Sequence, residues 1–299
     1  MKKIFTISIF ILLFALITFS FSCKQETIFY QIDLEQELEE AVILGTPYSI
    51  TEFNNKLFCT DGLLYAKDKN AIRGWGRIET PETMEKLAAS DSILYALSTT
   101  KTLYKTTDGN KWEKIDLSTT LDSIVTIFEI GNQTYLKGFP KNSTEETAAV
   151  YYSLNNTEIT TTNISYEIAV VVDSQTYYVD STGKAITNGT YTSETFETIY
   201  SLTYSPKTNA LYVGTARGLK KLPLTQDGAI DSPVELPGNN YSTIIKDDYS
   251  IFATYATEYS LNGTIYEAIY ASTIREGSSY TGTSGLWSYY ENRNSWNCE

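Results

Sequence analysis

Hydrophobic positions follow two regimes along this chain. Ile4 to Phe21 is an almost unbroken apolar run, interrupted only by Thr6, Ser8, Thr18 and Ser20. Beyond it, apolar residues fall in short β-prone stretches separated by turn residues, the signature of strands and hairpins. Leu34 to Leu44 (LEQELEEAVIL) is the one segment that reads as a short helix, and its acids Glu35, Glu37, Glu39 and Glu40 read as a solvated face.

The strand-rich part repeats. An apolar residue or threonine followed by an aromatic recurs as Leu57-Phe58, Leu94-Tyr95, Thr134-Tyr135, Thr176-Tyr177, Leu211-Tyr212 and Ile251-Phe252, at steps of 37, 40, 42, 35 and 40 residues. A turn signal precedes each pair: Asn54-Asn55, Asp91-Ser92, Gly131-Asn132, Asp173-Ser174, Thr208-Asn209 and Asp247-Asp248. Before several of these lies a β-prone run, including Tyr48 to Thr51, Ile124 to Phe128, Ile168 to Val172 and Tyr241 to Ile245. A third strand is expected at Leu63-Leu64-Tyr65, Thr102-Leu103-Tyr104, Val150-Tyr151-Tyr152, Gly218-Leu219-Lys220 and Gly285-Leu286-Trp287.

A four-stranded unit of about 40 residues is the period of a β-propeller blade. The sequence therefore predicts an all-β propeller over 46–299. Six pairs predict six blades. The long last segment, with Ile269-Tyr270, Leu286-Trp287 and Trp296, leaves open an insertion around Tyr255 to Ile265 or a seventh blade. Leu211 to Leu219 resembles the strand-turn-strand motif of bacterial propellers. Thr106-Thr107-Asp108-Gly109-Asn110-Lys111-Trp112 resembles a shortened Asp-box of sialidase-like propellers. That resemblance implies that Asp108 caps the turn and that Trp112 packs between blades; as structural residues they serve the core.

The amino terminus carries a different message. Lys2 and Lys3 precede the apolar run, and Ser22-Cys23 follows it, as in an export signal. Ser20-Phe21-Ser22-Cys23 resembles a lipobox. It departs from the usual pattern at Ser20 and Phe21, positions where spirochaete lipoproteins are looser. The resemblance implies a diacylglycerol thioether on Cys23, cleavage before it, and acylation of the new amine; two or three acyl chains hold a protein stably on a membrane. An uncleaved membrane anchor, or cleavage that leaves Cys23 unmodified, are the competing readings. The domain expectation is a signal peptide over 1–22, a lipidated linker over 23–45 and the propeller over 46–299. The whole resembles treponemal-type lipoproteins of the bacterial envelope, lipid-anchored to the outer or inner membrane.

Composition narrows the chemistry. The chain has 36 acidic and 23 basic residues and no histidine, for a net charge of −13. Residues 1–22 contribute two lysines and no acid, so the body is more acidic still. Such a surface disfavours nucleic acid and anionic membranes as partners. Without histidine, neither a Ser-His-Asp triad nor a His-based metal site is available. Paired carboxylates would suffice for a glycosidase. The five arginines, Arg73, Arg77, Arg217, Arg275 and Arg293, lack the context of the sialidase arginine triad. Asp180-Ser181-Thr182-Gly183 and Asp247-Asp248 read as hairpin turns in preference to metal ligands. Gly282, Ser284 and Gly285 lack the Gly-Lys-Ser/Thr of a phosphate loop. No cofactor or metal is expected.

Closure of a propeller commonly pairs strands from both termini in one sheet. Cys59 sits on an early strand and Cys298 on the last, so a disulfide between them would clip the ring; two separate free thiols are the alternative. The functional expectation is a monomeric, non-catalytic binding or scaffolding propeller with an unknown protein or glycan ligand. A surface adhesin, a periplasm-facing scaffold and a glycan-active hydrolase are the competing classes.

Overall fold

The structure, a computed structural model, describes residues 42–43, 45–143, 148–245, 247–275 and 284–299. Cys23, the apolar segment before it and all but Val42 and Ile43 of the expected helix lie outside the described residues. Val42 and Ile43 are not helical; Ile43 is buried and its N–H faces the Glu299 carbonyl at 3.4 Å.

Six antiparallel sheets follow one another along the described chain. The first contains β1 (Ser49–Phe53), β2 (Lys56–Thr60), β3 (Leu64–Asp68) and β4 (Gly76–Ile78). The second contains β5 (Met84–Ala89), β6 (Leu94–Ser98), β7 (Leu103–Thr106) and β8 (Glu113–Ile115). The third contains β9 (Leu121–Ile130), β10 (Gln133–Pro140), β11 (Val150–Asn155) and β12 (Glu158–Thr161). The fourth contains β13 (Ala169–Val172), β14 (Gln175–Val179) and β15 (Ile186–Thr187), and the fifth β16 (Ile199–Ser205), β17 (Ala210–Thr215) and β18 (Gly218–Pro223). The sixth contains β19 (Tyr249–Leu261), β20 (Thr264–Arg275), β21 (Gly285–Tyr290) and β22 (Ser295–Cys298). Sheets four and five carry three regular strands. Their outer edges continue as isolated bridges, Thr187 to Thr192 in one and Lys221 to Val234 with Leu224 to Ile230 in the other.

Hydrophobic packing turns these sheets into a ring. Six buried clusters each join a sheet to the next. Phe58 and Leu64 meet Met84 and Leu94; Tyr95 and Leu97 meet Ile127 and Leu136; Phe128 meets Ala169. Tyr177 and Val179 meet Leu202 and Leu211; Tyr212 and Leu219 meet Ile251 and Ile269; Tyr270 and Leu286 meet Ile50 and Leu57 of the first sheet. This is a six-bladed β-propeller.

The sequence pairs acquire a physical meaning here. Successive side chains on a strand face opposite sides. On each second strand the aromatic residue packs toward the following blade, as Phe58, Tyr95, Tyr135, Tyr177 and Tyr212 do. Its neighbour faces the preceding blade: Leu57 packs with the sixth and Leu94 with the first. Two of the hairpin turns ahead of the pairs take left-handed backbone at both central residues, φ 50° and 58° at Asn54 and Asn55 and 46° and 70° at Asp173 and Ser174, which matches the twist of tight hairpins.

Three expectations are corrected. The sixth pair is Ile269-Tyr270 on β20, whereas Ile251-Phe252 lies on the first strand, β19; the turn equivalent to the others is Asn262-Gly263. The displacement arises because β19 and β20, at 13 and 12 residues, form an elongated hairpin that contains the Tyr255 to Ile265 insertion. Tyr241 to Ile245, β-prone by composition, begins with the single helical turn α1 (Tyr241–Ile244), followed by buried Ile245. Asn240 just before α1 already pairs with both backbone groups of Trp296, so the run has no strand to join. Finally, the ring closes without a shared sheet: among the described strands the first and last blades are each built from contiguous chain.

Candidate functional site: the central channel and the closing joint

The first strand of every blade lines the axis, and together they enclose a channel of about 330 Å3. Their residues do not repeat evenly. Register shifts interrupt β5 at Glu85, β9 at Val125, β16 at Tyr200 and β19 at Phe252 and Ala253. A bulge bends its strand and re-aims the side chain it carries. Two of the bulged residues, Tyr200 and Phe252, lie 4.7 Å apart between ring centroids; Tyr48 meets Phe252 edge-on at 5.9 Å. These three rings line one mouth together with Lys86 and Glu167. Tyr48 is 45% exposed, so an aromatic face remains open to a ligand.

The polar groups of this mouth are held by their own chain. Lys86 donates to the Tyr48 carbonyl at 2.9 Å, and burial lowers its ammonium pKa. Glu167 pairs with Lys137 at 2.6 Å and accepts from the Tyr151 hydroxyl at 3.0 Å.

A second cavity of about 450 Å3, which shares Glu129, Gly131 and Tyr255 with the first, is lined also by Glu52, Asn54, Asn55, Asp91 and Asn132. Glu52 is engaged by Lys69 at 2.7 Å and by Thr257 at 3.0 Å. Glu129, on β9, lines both cavities. Its Oε2 accepts from Thr51 Oγ1 of blade one at 2.7 Å and from the Ala89 N–H of blade two at 2.6 Å. Desolvation nevertheless pushes its carboxyl up to about 7, and nearby Glu52 adds to the rise against those two hydrogen bonds. Burial, with Glu129 and Glu52 beside it, also raises the Tyr255 phenol well above its ordinary value.

The closing joint holds a buried polar cluster. Lys67 of β3 is buried among the rings of Trp75, Tyr270 and Tyr290, at 5.1, 4.8 and 5.3 Å from their centroids. It donates to the Tyr290 hydroxyl at 2.5 Å and pairs with Glu299 at 3.3 Å. Trp75 Nε1 and the Ser288 hydroxyl donate to the same carboxylate. Desolvation lowers the Lys67 pKa, and Glu299 opposes that shift.

Cys59 and Cys298 both stand as free thiols in the structure. Cys59 is buried in the cluster that joins the last blade to the first, and Cys298 is exposed on β22. Burial, then Asp61 and Glu299, raise the Cys59 thiol, while Lys67 pulls the other way.

The Thr106 to Trp112 turn has a defined geometry. Asp108 Oδ1 accepts from the N–H groups of Asn110 and Lys111, both at 2.8 Å, and Thr106 Oγ1 accepts from Gly109 N–H at 3.0 Å. Trp112 packs against the cluster shared by blades one and two. Asp180 holds its own turn through Thr182, Lys184 and Ala185, and Asp247 pairs with Lys220 at 2.7 Å.

No motif in the sequence marks Lys67, Glu129 or Glu299. The available signal is a charge inside a strand: Lys67 follows Leu63-Leu64-Tyr65-Ala66, and Glu129 is flanked by Phe128 and Ile130.

No protein-family description matches this chain, and no curated protein is detectably similar to it. Similarity is found among solved structures. YCF48 from Cyanidioschyzon merolae is 12% identical, with a TM-score of 0.43 over 86% of each chain. A structure of YCF48 bound to D1 peptide gives the same identity and TM-score over 86% of this chain and 82% of that one. A protein of unknown function from Bacteroides thetaiotaomicron is 12% identical, with a TM-score of 0.45 over 83% of this chain and 69% of its own.

Proposed function

We propose that this chain is a non-catalytic binding or scaffolding propeller, held on a bacterial envelope membrane through acylated Cys23, that engages a protein partner at the aromatic mouth of its channel. The observation that carries this reading is the rim of Tyr48, Tyr200 and Phe252. Bulges place two of these rings at the opening, where burying them in the core is forgone. Exposed aromatic surface beside a cavity is the kind of anchor that binding interfaces use. The acids Glu52 and Glu167 are tied to lysines of the same chain, which suits a shaped receptor better than a pair of carboxylates poised for hydrolysis.

The test is site-specific photo-crosslinking in cells, with a benzophenone amino acid at Tyr48, at Phe252 or at the exposed outer-strand residue Glu158. Adducts from the two rim positions and not from Glu158 support the reading. Adducts only from Glu158, or none from the rim, overturn it. Proteinase K treatment of intact cells then assigns the side of the membrane. Digestion while a periplasmic control survives makes this a surface adhesin; protection makes it an envelope scaffold.

A further inference from the structure

We propose that the channel is a receptor for a single lysine-type ammonium, carried on a partner segment that enters past the aromatic rim and docks on Glu129. This inference rests on the binding reading above and names the chemistry of its ligand.

Glu129 is half satisfied. Both of its hydrogen bonds fall on Oε2, and Oε1 takes none from the described residues. Oε1 is not sealed in the core: Glu129 is half-buried and lines the cavities, so a donor entering the channel can reach its free oxygen. A second polar group on the wall of the same channel is also unmatched: Thr254 is 6% exposed and its Oγ1 has no partner among the described residues. The carboxylate oxygen accepts and the hydroxyl can accept as well as donate, and an ammonium brings three donors.

Charge complementarity points the same way. The two cavities are lined by Glu52, Asp91, Glu129 and Glu167 against one cation, Lys86. Glu52 and Glu167 are already paired with lysines, and Lys86 is engaged by a carbonyl. Glu129 and Asp91 are left without a cation among the described residues; Asp91 is exposed, whereas Glu129 is half-buried and lines both cavities.

The geometry also selects between the two basic side chains. Arginine binds a carboxylate best through two parallel N–H···O bonds, which need both oxygens free. Thr51 and Ala89 occupy one of the two, so the open site is a single acceptor, which suits an ammonium. The rim adds aromatic faces along the way, surfaces that favour the passage of a cation and the packing of its aliphatic stem.

Glu52 on β1 and Tyr255 on β19 interact electrostatically with Glu129, while Lys86 on β5 and Asp91 after it share the lining of one cavity each with it. Glu52 adds negative charge beside Glu129, and Tyr255 stays a neutral phenol there, a setting that favours an incoming cation.

The experiment follows the Glu129 carboxyl by carbon-13 NMR during pH titration of the intact protein. The probe is the blocked peptide Gly-Gly-Lys-Gly-Gly; matched peptides carry norleucine or arginine in place of lysine. The expected result is that the lysine peptide lowers the Glu129 midpoint from about 7, the norleucine peptide leaves it unchanged, and arginine acts more weakly. Affinity for the lysine peptide should fall about tenfold or more in Glu129→Gln, and less than about twofold in Asp91→Asn. An unmoved midpoint at saturating lysine peptide overturns the proposal, as does wild-type affinity in Glu129→Gln. Rim crosslinks that persist alongside an unmoved midpoint defeat this inference alone; loss of rim crosslinks defeats the binding reading beneath it.

Discussion

Lys67 and Glu299 form a buried ion pair at 3.3 Å, with side chains 0% and 4% exposed, across the joint between the first and last blades. Ring closure in this propeller therefore does not depend on strand exchange. A lysine from blade one enters an aromatic box of Trp75, Tyr270 and Tyr290, and a carboxylate from the last blade neutralises it. Thr46 Oγ1, donating to the Thr273 carbonyl at 3.0 Å, and Asn70 Oδ1, accepting the Ser260 N–H at 2.8 Å, extend the same seam.

Removing one member of such a pair strands the other without water. Lys67→Met should cost roughly 3–5 kcal/mol of stability, because Glu299 is left charged and buried. Lys67→Met combined with Glu299→Gln should recover most of that loss, since a neutral amide can still accept from Trp75 and Ser288. Urea denaturation of the three variants checks this. Additive losses in the double variant would mean that the two residues act independently.

The turn at Gly109 offers a second test with its control built in. Gly109 has φ +77°, and a Cβ added there would lie 2.7 Å from Phe58 Cζ. Gly263 has φ +79° with nothing within 4 Å. Alanine at either site should pay about 1–2 kcal/mol for left-handed backbone. Gly109→Ala should pay more, because Phe58 is fixed in the core between two blades. Equal losses measured by denaturation would show that Phe58 gives way.

Much of this fold is written in the sequence because a blade imposes a simple rule. Strand two must present one apolar side chain to each neighbouring blade, and Leu57-Phe58 or Leu211-Tyr212 satisfy that rule locally. The rule misleads at Ile251-Phe252. There, a bulge in β19 turns Phe252 toward the channel, so the pair mimics a core motif in the wrong strand. The channel itself was not legible. Tyr48, Tyr200 and Phe252 are ordinary aromatic residues until six first strands converge, and Glu129 gains its character from burial and from groups on other blades, among them Thr51 and Ala89, 78 and 40 residues away. The ring closure was hidden for the same reason: Lys67 and Glu299 are 232 residues apart.

The thiols give a third prediction. With Cys23 acylated or replaced by serine, native protein should expose one reactive sulfur, Cys298, and release Cys59 only on unfolding. Burial raises both thiols, so the Cys298 reaction should accelerate as pH rises through and above 9. A disulfide reagent assay with and without denaturant reads this directly. A native and unfolded titre of zero, with a mobility shift on reduction, would instead establish the Cys59–Cys298 bridge.

Glu129 links stability to pH with a definite sign. Its carboxyl rises from an ordinary value of 4.5 to about 7 on folding, so the folded state holds the proton more tightly than the unfolded one. Below pH about 4.5 both states are protonated and the group contributes nothing. Between 4.5 and 7 stability falls as pH rises, and above 7 the full cost remains, roughly 3 kcal/mol for a shift of this size. Glutamine keeps an acceptor for Thr51 and the Ala89 N–H without the charge. Glu129→Gln should therefore leave stability at pH 4.5 nearly unchanged and increase it by about 2–3 kcal/mol at pH 8. Urea denaturation across that range tests the difference. A gain that is the same at both pH values would locate the effect in packing and remove the charge from the account. A pH-dependent gain, coupled with loss of lysine-peptide binding, would mean that the chain tolerates an unfavourable carboxylate in its channel for the sake of the cation it receives, the usual form of a trade between stability and function.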